Sequence, residues 1–376
     1  MENMVNEHDV FGGVYKGRRV LVTGHTGFKG SWLCLWLLKL GAKVAGYSAY
    51  LPSDPCNFEV TELEGKIEHY SGDVRDPEGL KKAFDEFKPQ VVFHLAAQAI
   101  VRKSYDEPKL TFDTNLGGTV NVLECIKNTS SVQAAVVITS DKCYRNVEWE
   151  WGYRENDALG GDDPYSASKA CAEIAANSYM QCYFNSDEAP KVVTARAGNV
   201  IGGGDWAQDR IVPDCIRTWV GGQKVKSRSP EATRPWQHVL EPLSGYLWLG
   251  ANLINNARNV GGEAYNFGPD SSVIKPVREL IDSLSSIWGK GEWEHVPEDG
   301  NKKESRLLKL CCDKAMHRIK WYPVLSFEEV VKLTAEWYKN YYDKVLDSYE
   351  LSCSQIDYYV EKAFERGILW AEEGAK

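Results

Sequence analysis

The sequence predicts an α/β fold in which a doubly wound parallel sheet is accompanied by a smaller C-terminal lobe. Three observations predict it: short apolar runs alternate with helix-like segments, a glycine-rich turn joins the first run to the first helix, and the composition changes after about residue 200. Alternating strands and helices are typical of a parallel sheet, whose ligands bind at the carboxyl ends of the strands. The expected strands are residues 19–23, 43–47, 66–70, 91–94, 134–139 and 191–195.

The first strand runs directly into the glycine turn GHTGFKG, and an apolar helix-like segment, residues 31–40, follows it. Gly24 permits the tight turn, Gly27 lets backbone N–H groups approach a pyrophosphate, and Gly30 permits close packing of the helix on the strand. We therefore predict a dinucleotide site that includes every residue of the turn: Gly24, His25, Thr26, Gly27, Phe28, Lys29 and Gly30.

A second motif combines the run Ser140, Asp141 and Lys142 with Tyr165 and Lys169. Tyr165 and Lys169 are four residues apart and share one face of a helix, where the ammonium lowers the pKa of the phenol. The phenol then acts as a base, and Ser140 holds a substrate hydroxyl beside it. Because Asp141 and Lys142 add an acid and a base, we predict that all five residues are catalytic in a redox reaction.

The order of the motifs along the chain resembles that of the extended short-chain dehydrogenase/reductase superfamily. The shared features are the glycine turn, DVRD at 73–76, HLAAQ at 94–98, Asn115 and the YxxxK pattern. The resemblance covers residues 16–342 and implies a Rossmann-type sheet with a substrate-binding C-terminal lobe. Longer strings are similar to one family within it, the CDP-glucose 4,6-dehydratases: GHTGFKGSW at 24–32, TSDKCY at 139–144, WGYREND at 151–157, RAGNVIGGGDWA at 196–207 and RPWQHVLEPLSGY at 234–246.

This resemblance implies an NAD-dependent hydro-lyase that converts CDP-D-glucose to CDP-4-dehydro-6-deoxy-D-glucose and water. The product is a precursor of the deoxysugars of surface polysaccharides such as lipopolysaccharide O-antigen. In such enzymes hydride leaves C4 of the sugar for NAD, water is lost across C5 and C6, and the hydride returns to C6. By their place in the motif, Asp141 protonates the C6 oxygen and Lys142 takes the C5 proton. Related dTDP- and GDP-sugar dehydratases carry Glu at the position of Lys142.

Two other functions compete with this interpretation. An NAD-dependent nucleotide-sugar 4-epimerase uses a tyrosine and a lysine such as Tyr165 and Lys169 to oxidise and reduce C4, but it has no need of Asp141 and Lys142. A non-catalytic nucleotide-binding sensor can share the same fold. Such a sensor has no need of Tyr165, Lys169 or Ser140, all of which are present.

The resemblance also implies cofactor contacts beyond the glycine turn. Asp73 and Val74 contact the adenine, and Lys169 bonds to the nicotinamide ribose. Asn115 either lies near the cofactor or braces a helix. The residues that end the second strand, 46–48, offer no acidic side chain for the adenosine ribose, so the residues alone leave NADP open, whereas the resemblance implies NAD. The remaining expected contacts are Leu95, Ala96, Ala97, Gln98 and Tyr165.

For the nucleotide half of the substrate we predict Asn199, Arg234 and Arg306, since guanidinium groups form paired hydrogen bonds with pyrophosphate oxygens. A structural ion pair is the alternative role of each arginine. The choice of CDP over another nucleotide depends on the family strings alone. The other expected substrate contacts line the sugar side or the lip of the cleft: Gln98, Arg102, Tyr105, Asp205, Trp206 and Arg210.

The composition limits the partners and the location of the protein. The net charge of −9 argues against nucleic acid as a partner. Because no apolar span of about twenty residues is present and the N-terminus lacks the apolar core of a signal peptide, we expect a cytoplasmic protein without a membrane partner. The ten cysteines form no CxxC pair and no cluster with histidine, which indicates reduced thiols and no metal site.

The chain divides into four expected segments. Within the third, residues 327–342 are patterned as an amphipathic helix. Family members pair through helices that here include residues 110–127 and 164–183, so the resemblance implies a homodimer or homotetramer. The segments are a flexible N-terminal arm (1–18), an NAD-binding domain (19–199), a region that is mainly the substrate lobe and crosses back to the sheet (200–342), and a C-terminal tail without an assigned role (343–376).

Overall fold

The computed structural model describes residues 10–257, 260–270, 275–289, 291–296 and 307–372. Its centre is a seven-stranded sheet in which every neighbouring pair of strands is parallel. Short two-stranded pairs lie outside this sheet. In chain order, the strands of the sheet and of these pairs are β1 (Arg19–Thr23), β2 (Lys43–Ser48), β3 (Glu68–Ser71), β4 (Val91–His94), β5 (Ala134–Ile138), β6 (Lys191–Ala197), β7 (Val200–Ile201), β8 (Val225–Ser227), β9 (Thr233–Arg234), β10 (Gln237–His238), β11 (Ala264–Phe267), β12 (Lys275–Pro276) and β13 (Trp293–His295).

Helices separate the strands, as the alternating pattern predicts. A short 3₁₀ turn at Asp141–Cys143 and a π-helical turn at Asp113–Gly117 interrupt the regular elements. The helices are α1 (Phe28–Lys39), α2 (Asn57–Val60), α3 (Pro77–Phe87), α4 (Val101–Asp106), α5 (Pro108–Phe112), α6 (Gly118–Asn128), α7 (Pro164–Cys182), α8 (Ile211–Val220), α9 (Leu240–Ile254), α10 (Val277–Trp288), α11 (Asp313–Arg318), α12 (Phe327–Asp343) and α13 (Ser348–Glu365).

The central sheet has the order β3-β2-β1-β4-β5-β6-β11, so the direction of the strand order reverses between β1 and β4. The predicted α/β fold and its six N-terminal strands are therefore confirmed, with ends that differ by one or two residues at four of the strands. The edge strand β11 was not predicted as a strand, although the crossover back to the sheet was. In sheets of this type ligands bind at the carboxyl ends of the strands beside the reversal point.

The sheet is covered on both faces, which explains its nearly continuous apolar strands. Successive side chains of a strand point to opposite faces. Val20 and Val22 accordingly belong to one large core with α1, α9 and the C-terminal helices, whereas Leu21 belongs to a second core with α3, α6 and α7. The sequence between these strands thus folds as two layers of helices around one sheet.

The two ends of the described chain meet in the larger core. Phe11 is fully buried and its ring stacks on Trp370 with 5.0 Å between ring centroids. The hydroxyl of Tyr15 donates a hydrogen bond of 2.6 Å to the backbone oxygen of Leu247 in α9. The expectation of a flexible arm is therefore wrong for residues 10–18, because apolar and aromatic side chains anchor them; residues 1–9 lie outside the described chain.

The segment expected to be a tail also belongs to the fold. The helix α13 packs against α1, and its Tyr359 stacks on Trp370. The predicted amphipathic helix is confirmed as α12, whose N-terminus carries a capping box formed by Ser326 and Glu329.

Residues after β6 form the smaller lobe and then return to the sheet. Short paired strands, β8 with β13 and β9 with β12, stand away from the central sheet, while α9 lies against β5 and β6. All ten cysteines are free thiols. Within the described ranges, no three metal-ligating side chains are grouped to hold an ion, and no helix combines the length and apolar character needed to cross a bilayer.

Candidate active site

A cleft of about 780 Å³ opens at the carboxyl ends of β1, β2, β4 and β5. It is the place that the strand order predicts for a ligand. Of the predicted residues, those that line it are Gly24, Thr26, Gly27, Phe28, Lys29, Gly30, Asp73, Val74, Leu95, Ala96, Ala97, Gln98, Arg102, Ser140, Tyr165, Lys169, Asp205, Trp206 and Arg210.

The glycine turn brings bare backbone into this cleft. Gly24 has φ of 74°, and a Cβ atom there would lie 2.6 Å from the backbone nitrogen of Ala96. A Cβ atom on Gly30 would lie 2.2 Å from the backbone oxygen of Gly24. No side chain caps the N-terminus of α1, so its N–H groups face the cleft as an anion site. The turn therefore fits the pyrophosphate of a dinucleotide.

Ser140 and Asp141 follow the end of β5 and are fixed by local hydrogen bonds. The Ser140 Oγ accepts a hydrogen bond from the Lys142 backbone N–H and donates one of 2.9 Å to Asp141 Oδ1. This double use of the hydroxyl caps the 3₁₀ turn that begins at Asp141. Both side chains are buried, so the serine and the carboxylate form one rigid unit.

Tyr165 and Lys169 lie in the first two turns of α7, which begins with Pro164 and an Asp163 side-chain cap. The Ser140 side chain lies near the Tyr165 phenol and acts to lower its pKa, and both side chains line the cleft. Ser140 in turn donates its hydrogen bond to Asp141. The fold thereby brings together the two motifs that the sequence places about 25 residues apart.

Burial dominates the protonation of both α7 residues. It raises the pKa of Tyr165 to about 12, and the hydrogen bond from Ser140 offsets this only in part. It lowers the pKa of Lys169 to about 8, although the Glu173 carboxylate acts in the opposite direction. The prediction that Lys169 brings the phenol pKa down is not met in this structure, because the loss of hydration outweighs nearby positive charge.

Asp141 faces a second, small cavity beside the main cleft. Asn199 and Gln237 line it with the carboxylate, and Asn199 Nδ2 lies 3.4 Å from Asp141 Oδ2. Gly198 leaves room for the carboxylate, since a Cβ atom there would lie 1.9 Å from Asp141 Oδ2. Lys142 is half-buried and lines neither cavity. Asp141 thus lines the small cavity and not the main cleft, which its neighbour Ser140 lines.

Basic residues surround the cleft on the side opposite the sheet. Arg210 forms an ion pair of 2.8 Å with Asp205, and Arg102 Nε lies 3.6 Å from Asp209. Burial lowers the pKa of Lys29 to about 8, with a further contribution from the nearby Arg210. These cations are suited to an anionic ligand such as a diphosphate.

Several other predicted residues that the structure describes do not line the cleft. His25 turns under β2, where its Nε2 lies 2.7 Å from His69 Nδ1, and burial lowers its pKa to about 3. Tyr105 is exposed on α4. Arg234 belongs to the β9–β12 pair and donates a hydrogen bond of 2.8 Å to the Thr233 oxygen. Arg306 lies outside the described residues.

Asn115 is a brace rather than a residue of the cleft wall. Its Oδ1 accepts a hydrogen bond of 2.8 Å from the Gln98 N–H, and its Nδ2 donates one of 2.9 Å to Ser168 Oγ. It therefore ties the loop after β4 to α7. Of the two roles that the sequence left open, these hydrogen bonds support the bracing one, and the buried side chain does not line the cleft.

Sequence reasoning missed part of the cleft. Position along the chain could have indicated most of the missed lining residues. They directly follow β2 or β3, or lie just beyond the glycine-rich segment 202–204, and ligands bind at the carboxyl edge of such a sheet. Trp206, which was predicted and lines the cleft, also packs its ring on Tyr341 and donates its indole N–H to Tyr342. The missed lining residues include Tyr50, Pro52, Arg75, Lys103, Asp209 and Arg217.

Comparison with known proteins agrees with this arrangement. The family described as GDP-mannose 4,6 dehydratase matches residues 21–334. The chain belongs to this family. A CDP-glucose 4,6-dehydratase from Salmonella typhimurium is 45% identical over 329 residues, which are 86% of this chain and 91% of that relative. The predicted resemblance to nucleotide-sugar dehydratases is thereby confirmed.

This member of the GDP-mannose 4,6 dehydratase family also has the same fold as solved structures of epimerases. An epimerase from Methanothermobacter thermautotrophicus has a TM-score of 0.76 and 25% identity, covering 92% of this chain and 97% of that one. A UDP-glucose 4-epimerase from Thermus thermophilus in complex with NAD has a TM-score of 0.72 and 27% identity, covering 85% and 99%. The epimerases are thus more distant in sequence than the CDP-glucose 4,6-dehydratase.

Proposed function

We propose that the protein is an NAD-dependent CDP-glucose 4,6-dehydratase that converts CDP-D-glucose to CDP-4-dehydro-6-deoxy-D-glucose and water. The observation that carries the proposal is the proximity of Tyr165 in α7 to Ser140, whose hydroxyl donates a hydrogen bond to Asp141 just after β5. An oxidation base alone serves an epimerase, but an adjacent acid serves an elimination as well. The 45% identity with a CDP-glucose 4,6-dehydratase supports the reaction and the nucleotide.

The residues that hold NAD are the N–H groups of the glycine turn, Asp73 and Val74 at the adenine end, and Ala96 and Lys169 nearer the reaction centre. Their support is the fit of the bare turn to a pyrophosphate and the shared cleft. The chemistry that NAD supplies when bound is reversible hydride transfer, from C4 in the first step and to C6 in the last. β2 ends in Ser48 rather than in an acidic residue, and Ser48, Tyr50 and Asp54 line the cleft after this strand.

Tyr165 takes the proton of the C4 hydroxyl as the hydride departs. Ser140 lies beside the phenol and accepts a hydrogen bond that orients the same hydroxyl. Because burial raises the phenol pKa, the tyrosine needs positive charge during this step. Lys169 supplies it from the next turn of the helix, and Arg210, which lowers the phenol pKa in this structure, adds to it.

Oxidation at C4 makes the neighbouring C5 proton acidic, so that a positioned base can remove it. Lys142 takes this proton as a neutral amine, and Asp141 protonates the departing C6 hydroxyl. A positioned acid or base is typically worth about 10² to 10⁴ in rate. The hydrogen bond between Asp141 and Ser140, which lines the main cleft, supports this role.

The substrate is held by cations and by the second lobe. Arg102 and Arg210 face the diphosphate, and Asn199 lies beside Asp141 on the sugar side. In this proposal residues 19–199 bind the cofactor, and residues 200–342 contribute the substrate lobe. A second copy of the chain pairs through α6 and α7 to form a homodimer or homotetramer in the cytoplasm; Ile174 on α7 and Tyr183, which follows α7, are exposed.

The test is incubation of the purified protein and NAD with CDP-, dTDP-, GDP- and UDP-glucose, followed by mass spectrometry. We expect loss of one water from CDP-glucose and from no other substrate. Tyr165→Phe is the matched control, because it removes one hydroxyl and nothing else. Interconversion of C4 epimers without loss of water would establish the epimerase instead and leave Asp141 and Lys142 without a catalytic role.

A further inference from the structure

Glu173 is a buried carboxylate directly beneath the proposed active site. It lies in α7 one turn after Lys169, and its side chain is 2% exposed. Thr139 Oγ1 donates a hydrogen bond to its Oε1, while Thr194 Oγ1 donates one of 2.9 Å to its Oε2. A single side chain therefore joins α7 to β6 and to the residue that precedes Ser140.

Arg196 extends this contact to the other side of the catalytic turn. Its Nη2 donates a hydrogen bond of 2.6 Å to Glu173 Oε2, and its Nη1 donates one of 2.7 Å to the Tyr144 hydroxyl. Tyr144 directly follows the turn Asp141–Cys143, and its hydroxyl donates a hydrogen bond of 2.7 Å to Asn266 Oδ1. The buried pair thus contacts the chain immediately before Ser140 and immediately after Cys143.

Stability is a poor reason for such a pair. Replacing a buried ion pair with well-packed apolar residues is often neutral or stabilising, because removing two charges from water is costly. Glu173 and Arg196 are both almost completely buried. The pair lies between the two halves of the catalytic motif, and this position indicates that it serves function.

The charge of Glu173 also acts on Lys169. Burial lowers the pKa of that lysine, and Glu173 is the main group that opposes the change. The other ionisable groups near the ammonium are Lys29 from the glycine turn, His94 from β4, and the Cys143 thiol. Lys29 is a cation and disfavours the charged lysine, His94 is neutral because burial lowers its pKa to about 3, and the thiol stays protonated because burial raises its pKa well above the ordinary value.

We infer that Glu173 is a positioning residue of the active site: its carboxylate holds Thr139, and with it Ser140, against the Tyr165 helix, and its charge faces Lys169 one turn earlier on the same helix. The inference rests on the proposed function in one respect, namely that Lys169 supplies positive charge to Tyr165 during catalysis. The charge state of Lys169 itself is measurable whether or not the protein is a dehydratase.

The decisive variant is Glu173→Gln, which keeps the shape and removes the charge. The measurement is competitive acetylation of Lys169 with acetic anhydride as a function of pH, quantified by mass spectrometry. We expect the pH of half-maximal labelling to fall by about 1 unit or more, because an opposite charge at this range favours the ammonium by that amount. Glu241→Gln, which alters another buried carboxylate far along the chain, is the control and leaves Lys169 labelling unchanged.

Activity gives a second measurement. The alkaline limb of the pH profile of kcat/KM moves to lower pH in Glu173→Gln, so that kcat/KM at about pH 9 falls about fivefold more than at about pH 7. A purely structural role lowers the rate equally at both pH values. Thr139→Val removes the hydroxyl contact to Glu173 and lowers kcat at every pH, whereas Thr139→Ser, which keeps the hydroxyl, restores it.

The single variant leaves Arg196 buried without its partner, which threatens folding. The double variant Glu173→Gln with Arg196→Met removes both charges and is tested in the same way. Unchanged labelling of Lys169 in a folded variant overturns the inference. Failure of both variants to fold overturns it too, because the pair would then serve the fold. If the wild-type protein forms no dehydrated product but its labelling still depends on Glu173, the proposed function fails and the inference stands.

Discussion

The hydroxyl of Tyr359 in α13 donates a hydrogen bond of 2.8 Å to the buried carboxylate of Glu241 in α9. The same carboxylate accepts backbone hydrogen bonds from Val324 and Leu325. One side chain on the helix under the sheet therefore holds both the segment before α12 and the C-terminal helix. The C-terminal segment, to which the sequence assigns no role, is therefore hydrogen-bonded to the core of the molecule through Tyr359 and Glu241.

This carboxylate makes stability depend on pH. Burial raises the pKa of Glu241 to about 7, above its usual value, despite the hydrogen bonds that it accepts. The folded protein therefore holds a proton that the unfolded chain releases, and the stability that this proton contributes is complete at low pH and lost as pH rises through 7. We expect wild type to lose about 3 kcal/mol relative to Glu241→Gln between pH 5 and pH 8.

Urea unfolding of the two proteins at both pH values measures this difference. The glutamine does not titrate, so its free energy of unfolding lacks the contribution of this site. Tyr359→Phe is the control, since it removes one hydrogen bond and keeps the titrating group. An equal difference between wild type and Glu241→Gln at pH 5 and pH 8 would contradict the prediction.

The N-terminal segment is expected to stabilise the fold through Phe11. Its ring is fully buried and stacks on Trp370. Phe11→Ala should lower the free energy of unfolding by about 3 to 5 kcal/mol, the usual cost of removing a buried phenyl ring. Trp151→Ala, at an exposed aromatic side chain, should change it by less than about 0.5 kcal/mol. Equal effects of the two substitutions would mean that the segment is loosely held.

The sequence predicts best what local geometry decides. Gly24 and Gly30 are readable because a turn this tight excludes a Cβ atom whatever the rest of the chain does. The meeting of Ser140 with Tyr165 is also predictable, because a residue at the carboxyl end of a parallel strand faces the start of the next crossover helix. These features depend on short stretches of chain and on a general rule of sheets.

What the sequence does not reveal depends on partners that are distant along the chain. His25 lies in the right turn, but its ring points away from the cleft because His69 in β3 receives it. Asn115 is drawn into bracing by Ser168 in α7. Phe11 and Trp370 stand at opposite ends of the sequence, and no pattern within either segment shows that they stack.

Tyr165→Phe should block the first chemical step of the proposed reaction. The variant keeps the ring and its packing but removes the group that takes the C4 proton. We expect kcat to fall by about 10² to 10⁴, in line with the loss of a general base. In a single turnover with CDP-glucose, the near-ultraviolet absorbance of reduced nicotinamide should fail to appear. Absorbance at the wild-type rate would exclude this tyrosine as the base.

Lys142→Ala should separate the second step from the first. Because Tyr165, Ser140 and Lys169 remain, oxidation at C4 proceeds, and reduced nicotinamide accumulates while no dehydrated product forms. The half-buried position of Lys142, beside but not within the two cavities, makes this the sharper test, since its amine must turn toward the sugar to reach C5. Lys142→Arg is the matched control: it keeps a long basic side chain but stays protonated, so it should fail in the same way as alanine. Ordinary turnover in either variant would show that another group removes the C5 proton.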